Sequence, residues 1–248
     1  MTEQENIMPK VAISFTGLFR PNIQIPPSTS IEYFRKIFKA DLYFQTWIGR
    51  EHEVPQIYRD TIGKFFATNE PKMDYHPIFD PEPTTNPKHL WYRKTKTDGK
   101  KTINANKQII SYAQLFEMIP KKYDIYIKTR WDTAINSNFN FKQFYPLLEE
   151  GPVGFMTRAG GPNAHDWTRN KHKIVPKVKS ETNNNDWHDM LSDSIIMHKE
   201  EHFDPKLVFK LHQEKQLLGA EFGWWQIMSK PFGGESHTSV YGGCIIAR

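Results

Sequence analysis

Residues 122 to 133, KYDIYIKTRWDT, run apolar and aromatic until they deliver an arginine and an aspartate two positions apart, Arg130 and Asp132. A strand interior has no use for such a pair. The end of a strand, where chain leaves sheet, is where charged chemistry is built. A carboxylate there can hold a divalent cation through its oxygens, and a neighbouring guanidinium can grip phosphate in forked hydrogen bonds. That is diphosphate chemistry. The competing reading is an ion pair in which the two groups hold only each other. HKEEH, residues 198 to 202, has the H-x-x-E-H order of an inverted zinc-peptidase motif. Phe203-Asp204-Pro205 interrupts any helix at once, so solvated histidines on a charged turn are the better expectation. Cys244 lies in an apolar GGCIIAR stretch with no helix start or flanking base to activate a thiol. Lys88, Arg93, Lys94, Lys96, Lys100 and Lys101 surround Trp91 and Tyr92, pairing phosphate-seeking charge with rings on which a base can stack. A second basic segment holds Arg169, Lys171, Lys173, Lys177 and Lys179.

The elements that must position these groups follow from pattern. KVAISF, residues 10 to 15, and DLYFQTW, residues 41 to 47, read as strands, apolar on both faces. Between them PPSTSIEYFRKIFKA reads as a helix, with Phe34, Ile37 and Phe38 on one face and Thr29 and Glu32 at capping-box spacing. Residues 48 to 90 carry several prolines and read as loop with short elements, and Asp98-Gly99 suggests a protruding basic hairpin over 88–103. Ile109, Tyr112, Ala113, Phe116 and Ile119 recur at helical spacing, and the strand 123 to 130 follows. A helix near 139 to 149, a strand at 153 to 158, a lid-like loop over 159–186, a strand in MLSDSIIM and one or two helices divided near Gly219 complete the alternation. The expected class is α/β: a single domain, residues 1–248, with a mainly parallel central sheet flanked by helices. Three strand ends carry polar groups: Thr16 to Arg20, Thr46 to Trp47 and Arg130 to Asp132.

The order VAISFTGLFRP, ADLYFQTW, YDIYIKTRWDT, DMLSDSIIM resembles GT-A-type glycosyltransferases encoded by bacteria and phages, including lipopolysaccharide-synthesis enzymes, over roughly residues 10 to 230. The resemblance implies a Rossmann-like domain in which a nucleotide-diphosphate sugar sits over the first strand's end. It implies too that an acidic motif closing a later strand binds Mn²⁺ or Mg²⁺ on the diphosphate. On that resemblance Thr16, Gly17 and Arg20 lie near the nucleotide and Asp132 is the surviving metal-binding acid. This chain departs from the two-aspartate pattern, with arginine at 130, which opens a scheme where Arg130 and Lys128 neutralise the leaving diphosphate directly. Glu221 shares a helical face with Leu217, Trp224, Trp225 and Met228 and is a candidate general base; its alternative is a solvated first-turn acid. Asp193 is the second candidate base or a ligand for sugar hydroxyls, with a loop-closing aspartate as its alternative. Trp224 and Trp225 can stack on a sugar ring or simply fill core.

Composition bounds the readings that survive. With 38% hydrophobic and 14% aromatic residues among 248, the chain can bury a core, and wholesale disorder is excluded. No apolar run approaches a membrane span, the start MTEQENIMPK lacks signal-peptide order, and one cysteine allows no internal disulfide. A cytoplasmic protein is expected, in the host cytoplasm if phage-encoded. A net charge of +5 favours polyanionic partners. Two basic segments near one site would suit a polyanionic acceptor, DNA or a phosphorylated surface glycan. Two narrower readings stand beside general glycosyl transfer: a phage-type enzyme that glycosylates a hydroxymethylated DNA base, and a nucleic-acid-binding protein with no chemistry.

Overall fold

The computed structural model describes residues 8–20, 26–60, 62–75, 100–135, 139–156, 173–174, 191, 194–232, 238–241 and 244–246. Along the chain these form β1 (Val11–Thr16), α1 (Pro27–Phe38), β2 (Asp41–Trp47), α2 (Gln56–Asp60), β3 (Lys64–Thr68) and α3 (Lys100–Met118). There follow β4 (Ile125–Arg130), β5 (Thr133–Ile135), a 3-10 segment (Phe141–Glu149), β6 (Val153–Met156), β7 (Lys173–Ile174) and β8 (Ile195–His198). Helices α4 (Pro205–Gln213) and α5 (Ala220–Met228) precede β9 (Thr238–Tyr241) and β10 (Cys244–Ile246).

Eight strands make the main sheet in the order β3-β2-β1-β4-β8-β6-β9-β7, and β10 pairs with β5 in a separate antiparallel ribbon. β3, β2, β1, β4, β6 and β9 run one way, with β8 and β7 opposed to their neighbours. Period-two alternation assigns the two faces. Val11, Ile13, Phe15, Ile125 and Ile127 join Ile31, Phe34 and Phe38 of α1 in one core. Ala12, Tyr43 and Tyr126 join Ile109, Tyr112 and Phe116 of α3 and Trp224, Ile227 and Met228 of α5 in the other. Helices therefore cover both faces of a mainly parallel sheet, as the strands' doubly apolar character requires. The α/β expectation holds.

Some local readings do not. Helix α1 has no capping box: Pro26 is its N-cap without a side-chain bond, Pro27 occupies the first turn, and the Thr29 amide donates to the Pro26 carbonyl at 3.0 Å. Proline's preset φ starts this helix, so the Thr29 side chain is not needed for it. Lys100 to Ile103, read as the second arm of a hairpin, open α3 instead; residues 88 to 99 lie outside the described residues. Of the lid-like loop, only Lys173–Ile174 is described, as β7 on the edge of the sheet. Among the described residues no helix is long and apolar enough to cross a membrane.

The histidine motif is resolved by burial. His198 ends β8 fully buried, with its Nδ1–H donating to the Lys199 carbonyl at 2.7 Å and its Nε2 accepting from the Tyr112 hydroxyl at 2.6 Å. Glu200–His202 is a single 3-10 turn, and His202 accepts the Lys199 amide at 3.2 Å. These are core histidines rather than solvated ones, and both His198 nitrogens are engaged, which leaves no zinc ligand there. Burial pushes the His198 imidazole down to about 3. The unfolded chain then binds a proton below the ordinary histidine range that the folded chain refuses, so stability falls as pH drops from about 6.5 towards 3. The expected loss is roughly 2 kcal/mol by pH 5. Urea titrations at pH 7 and 5, on the native chain and on His198→Asn, should show a larger acid loss in the native chain.

Candidate functional site

From β1 the chain passes through α1 to β2 and β3 on one side, then returns through α3 to β4 on the other side of β1. Helices α1 and α3 sit on opposite faces, so the carboxyl ends of β1 and β4 bound a topological switch point, where open α/β sheets form a ligand crevice. Thr16 and Arg130 are register partners across it. Helix α3 is held over this edge by a 2.9 Å bond from the Trp47 indole to Ser111 Oγ, and Asn106 ties it to the Leu217 carbonyl at 2.9 Å.

Gly17 opens the crevice in a left-handed conformation, φ 88°, with nothing within 4 Å of a would-be Cβ; glycine serves the dihedral there, not space. Its amide donates to Gln45 Oε1 at 2.8 Å. Gln45 is fully buried, and its Nε2 donates to the Thr46 carbonyl at 3.0 Å and to Thr68 Oγ1 at 2.6 Å. The Trp131 indole donates to the Gln45 carbonyl at 3.3 Å. One residue thus ties the ends of β1, β2 and β3 through its side-chain amide and the turn after β4 through its backbone carbonyl. Sequence reasoning passed over Gln45, although a buried amide inside DLYFQTW was the available signal.

The α1 side of the crevice is closed by aromatic packing. Trp131 stacks on Phe44 at 5.4 Å, lies 5.4 Å from Phe15 and meets Phe19 edge-on at 5.1 Å. Thr16, Lys128 and Arg130 alternate onto the α3 side. Lys128 is fully buried one step down the strand, its Nζ 3.1 Å from Gln108 Oε1 and 4.9 Å from the centre of the Trp224 ring. Arg20 is exposed beyond the Gly17 turn. The buried hydroxyls of Thr16, Thr46, Thr129 and Thr133 find no hydrogen-bond partner among the described residues. Of these, Thr16 shares the α3 face with Arg130 and is polar capacity for a ligand or water there, whereas Thr46 and Thr129 point to the α1 face.

Arg130 and Asp132 hold one another in a two-pronged fork, Nε to Oδ1 at 2.8 Å and Nη2 to Oδ2 at 2.7 Å, with side chains 14% and 6% exposed. Both Asp132 oxygens accept from Arg130, so the carboxylate is charge-matched in the free protein and a divalent cation held on it would sit beside a guanidinium. Among the described residues no group of three or more His, Cys, Asp or Glu stands where it could hold a metal.

Of the remaining candidates, Glu221 stands in the first turn of α5, its side chain outside the described set, and Asp193 lies outside the described residues. Trp224 and Trp225 are core, at 0% and 8% exposure, and Trp224 packs on Tyr112 and Phe203.

Fold and site together define an open α/β-sheet protein whose switch point brings polar groups to the carboxyl ends of β1 and β4. No family model matches the sequence, and no curated protein does. Among solved structures the chain is similar to a 4-diphosphocytidyl-2C-methyl-D-erythritol synthase from Anaerococcus prevotii, at 7% identity over 94% of this chain and 87% of that one, with a TM-score of 0.43. A nucleoside-diphosphate-sugar pyrophosphorylase from Vibrio cholerae shares 12% identity over 96% and 92%, TM-score 0.41. Mouse xyloside xylosyltransferase 1 shares 8% over 92% and 83%, TM-score 0.35.

Proposed function

We propose that this chain is a glycosyltransferase that moves a sugar from a nucleoside diphosphate to an acceptor hydroxyl, with the β1–β4 crevice as donor site. The observation that carries the reading is the placement of Gly17's turn, the Thr16 hydroxyl and the Arg130–Asp132 pair together at the switch point. Sugar transfer from a nucleotide builds negative charge on the departing diphosphate, and a guanidinium at a partly dry strand end is placed to stabilise it. Glu221 in α5 and Asp193 before β8 are the proposed bases for the acceptor hydroxyl. A phosphorylated glycan or a hydroxymethylated DNA base would suit the chain's net charge of +5.

A thermal-shift screen tests the donor site. Saturating nucleotide sugar or nucleoside diphosphate should raise the melting temperature by about 5–10 °C, as ligand at a hundred times its Kd adds about 2.7 kcal/mol to a chain of this size. No shift with any nucleotide would sink the proposal. A salt-sensitive DNA affinity without nucleotide binding would favour a non-catalytic nucleic-acid binder instead.

A further inference from the structure

We infer that this crevice binds diphosphate without a divalent cation, by an exchange in which Arg130 turns its fork from Asp132 to the phosphate oxygens. The inference rests on the nucleotide-sugar reading and says what holds the charge.

Among the described residues, the place where a metal-binding acid would serve has one carboxylate, and that carboxylate is already charge-matched. Both Asp132 oxygens accept from Arg130 at 2.7–2.8 Å. A guanidinium presents five N–H donors in a rigid plane, and the spacing that fits carboxylate oxygens also fits phosphate oxygens. Two of these donors face Asp132. At 14% side-chain exposure Arg130 sits at the rim of the packed interior, whereas Asp132 at 6% lies deeper. The cation is therefore the reachable member of the pair, and the carboxylate acts as its rest. The Thr16 hydroxyl, at Arg130's register partner, is buried without a partner among the described residues and adds a donor on the same edge.

Exchange replaces one set of charge-assisted hydrogen bonds by another and takes the guanidinium from a carboxylate only 6% exposed, a cost that the hold on diphosphate must exceed and that Asp132→Asn would remove. The free protein thus keeps its guanidinium ordered near the position a diphosphate needs, which lowers the entropic cost of binding. A lysine would supply the charge but not the fork.

The test is calorimetric titration of the whole chain with UDP, GDP, CDP and ADP, each once with EDTA and once with Mn²⁺. For the nucleotide that binds, Kd in EDTA should lie within about threefold of Kd in Mn²⁺. Arg130→Gln should weaken binding about 10- to 100-fold, the range for hydrogen bonds to a charged group. Arg130→Lys should fall between, and Asp132→Asn should bind at least as tightly as the native chain, because the guanidinium loses its competitor. Binding seen only with Mn²⁺ overturns the inference while leaving the donor site standing. So does Asp132→Asn losing binding as Arg130→Gln does, with melting curves showing both variants folded. If none of the four nucleotides binds in either condition, the nucleotide-sugar reading falls and this inference falls with it.

Discussion

Asp132→Ala is expected to lower the unfolding free energy by about 3 kcal/mol, because it removes the carboxylate that accepts two hydrogen bonds from a guanidinium largely shielded from water. The fork's exposures, 14% and 6%, place it well inside the range where a deserted charge is costly. Replacing both partners by apolar residues, Arg130→Met with Asp132→Leu, should cost much less than the two single changes added together, since no charge is then left without its counter-ion. Urea unfolding of the four proteins closes the cycle. Single mutants within 0.5 kcal/mol of the native chain would mean that the pair is a solvated ornament, and the crevice would lose its main charged feature.

Gly223→Ala should cost about 3 kcal/mol, against the sign that helix propensity alone would give. Alanine in a helix interior is favoured over glycine by about 1 kcal/mol. Packing reverses this. A Cβ at Gly223 would stand 2.4 Å from the Leu218 carbonyl oxygen and 2.6 Å from Ile109 Cδ1. The first neighbour is backbone of the segment that leads into α5 and the second belongs to α3, so the start of α5 must shift against both, an overpacking penalty at the upper end of the usual range. Trp224 would then move off Lys128, now 4.9 Å below its ring. Chemical unfolding reads the stability, and near-ultraviolet circular dichroism reads the displaced indole. A more stable Gly223→Ala protein would show that the α3–α5 contact is looser than these distances say.

Strands buried on both faces were legible: β2 was placed at residues 41 to 47 and β1 within one residue, because no helical period competes with a short, doubly apolar run. The division of the late helices at Gly219 was legible for the same kind of reason, a strong local breaker. β3 was not. Its KFFAT is half-exposed and sits in a proline-rich stretch, and its existence depends on pairing with β2, which no window of sequence contains. At the site, the pair Arg130 and Asp132 could be picked out by type and spacing, but spacing does not say which way a guanidinium points. Gln45 shows the limit most plainly. Its partners are Gly17 and Thr68, brought together by sheet order alone.

The ribbon of β5 and β10 bears on how the molecule is assembled. Thr133, the residue after Asp132, lies opposite Ile246, and Ala134 opposite Ile245. During synthesis the first strands can dock as they emerge, but this loop stays without its cross-strand neighbour until nearly every other described element has left the ribosome. The ribbon therefore forms alongside the docking of β9 into the main sheet, and the corner that bears the carboxylate is among the last to set.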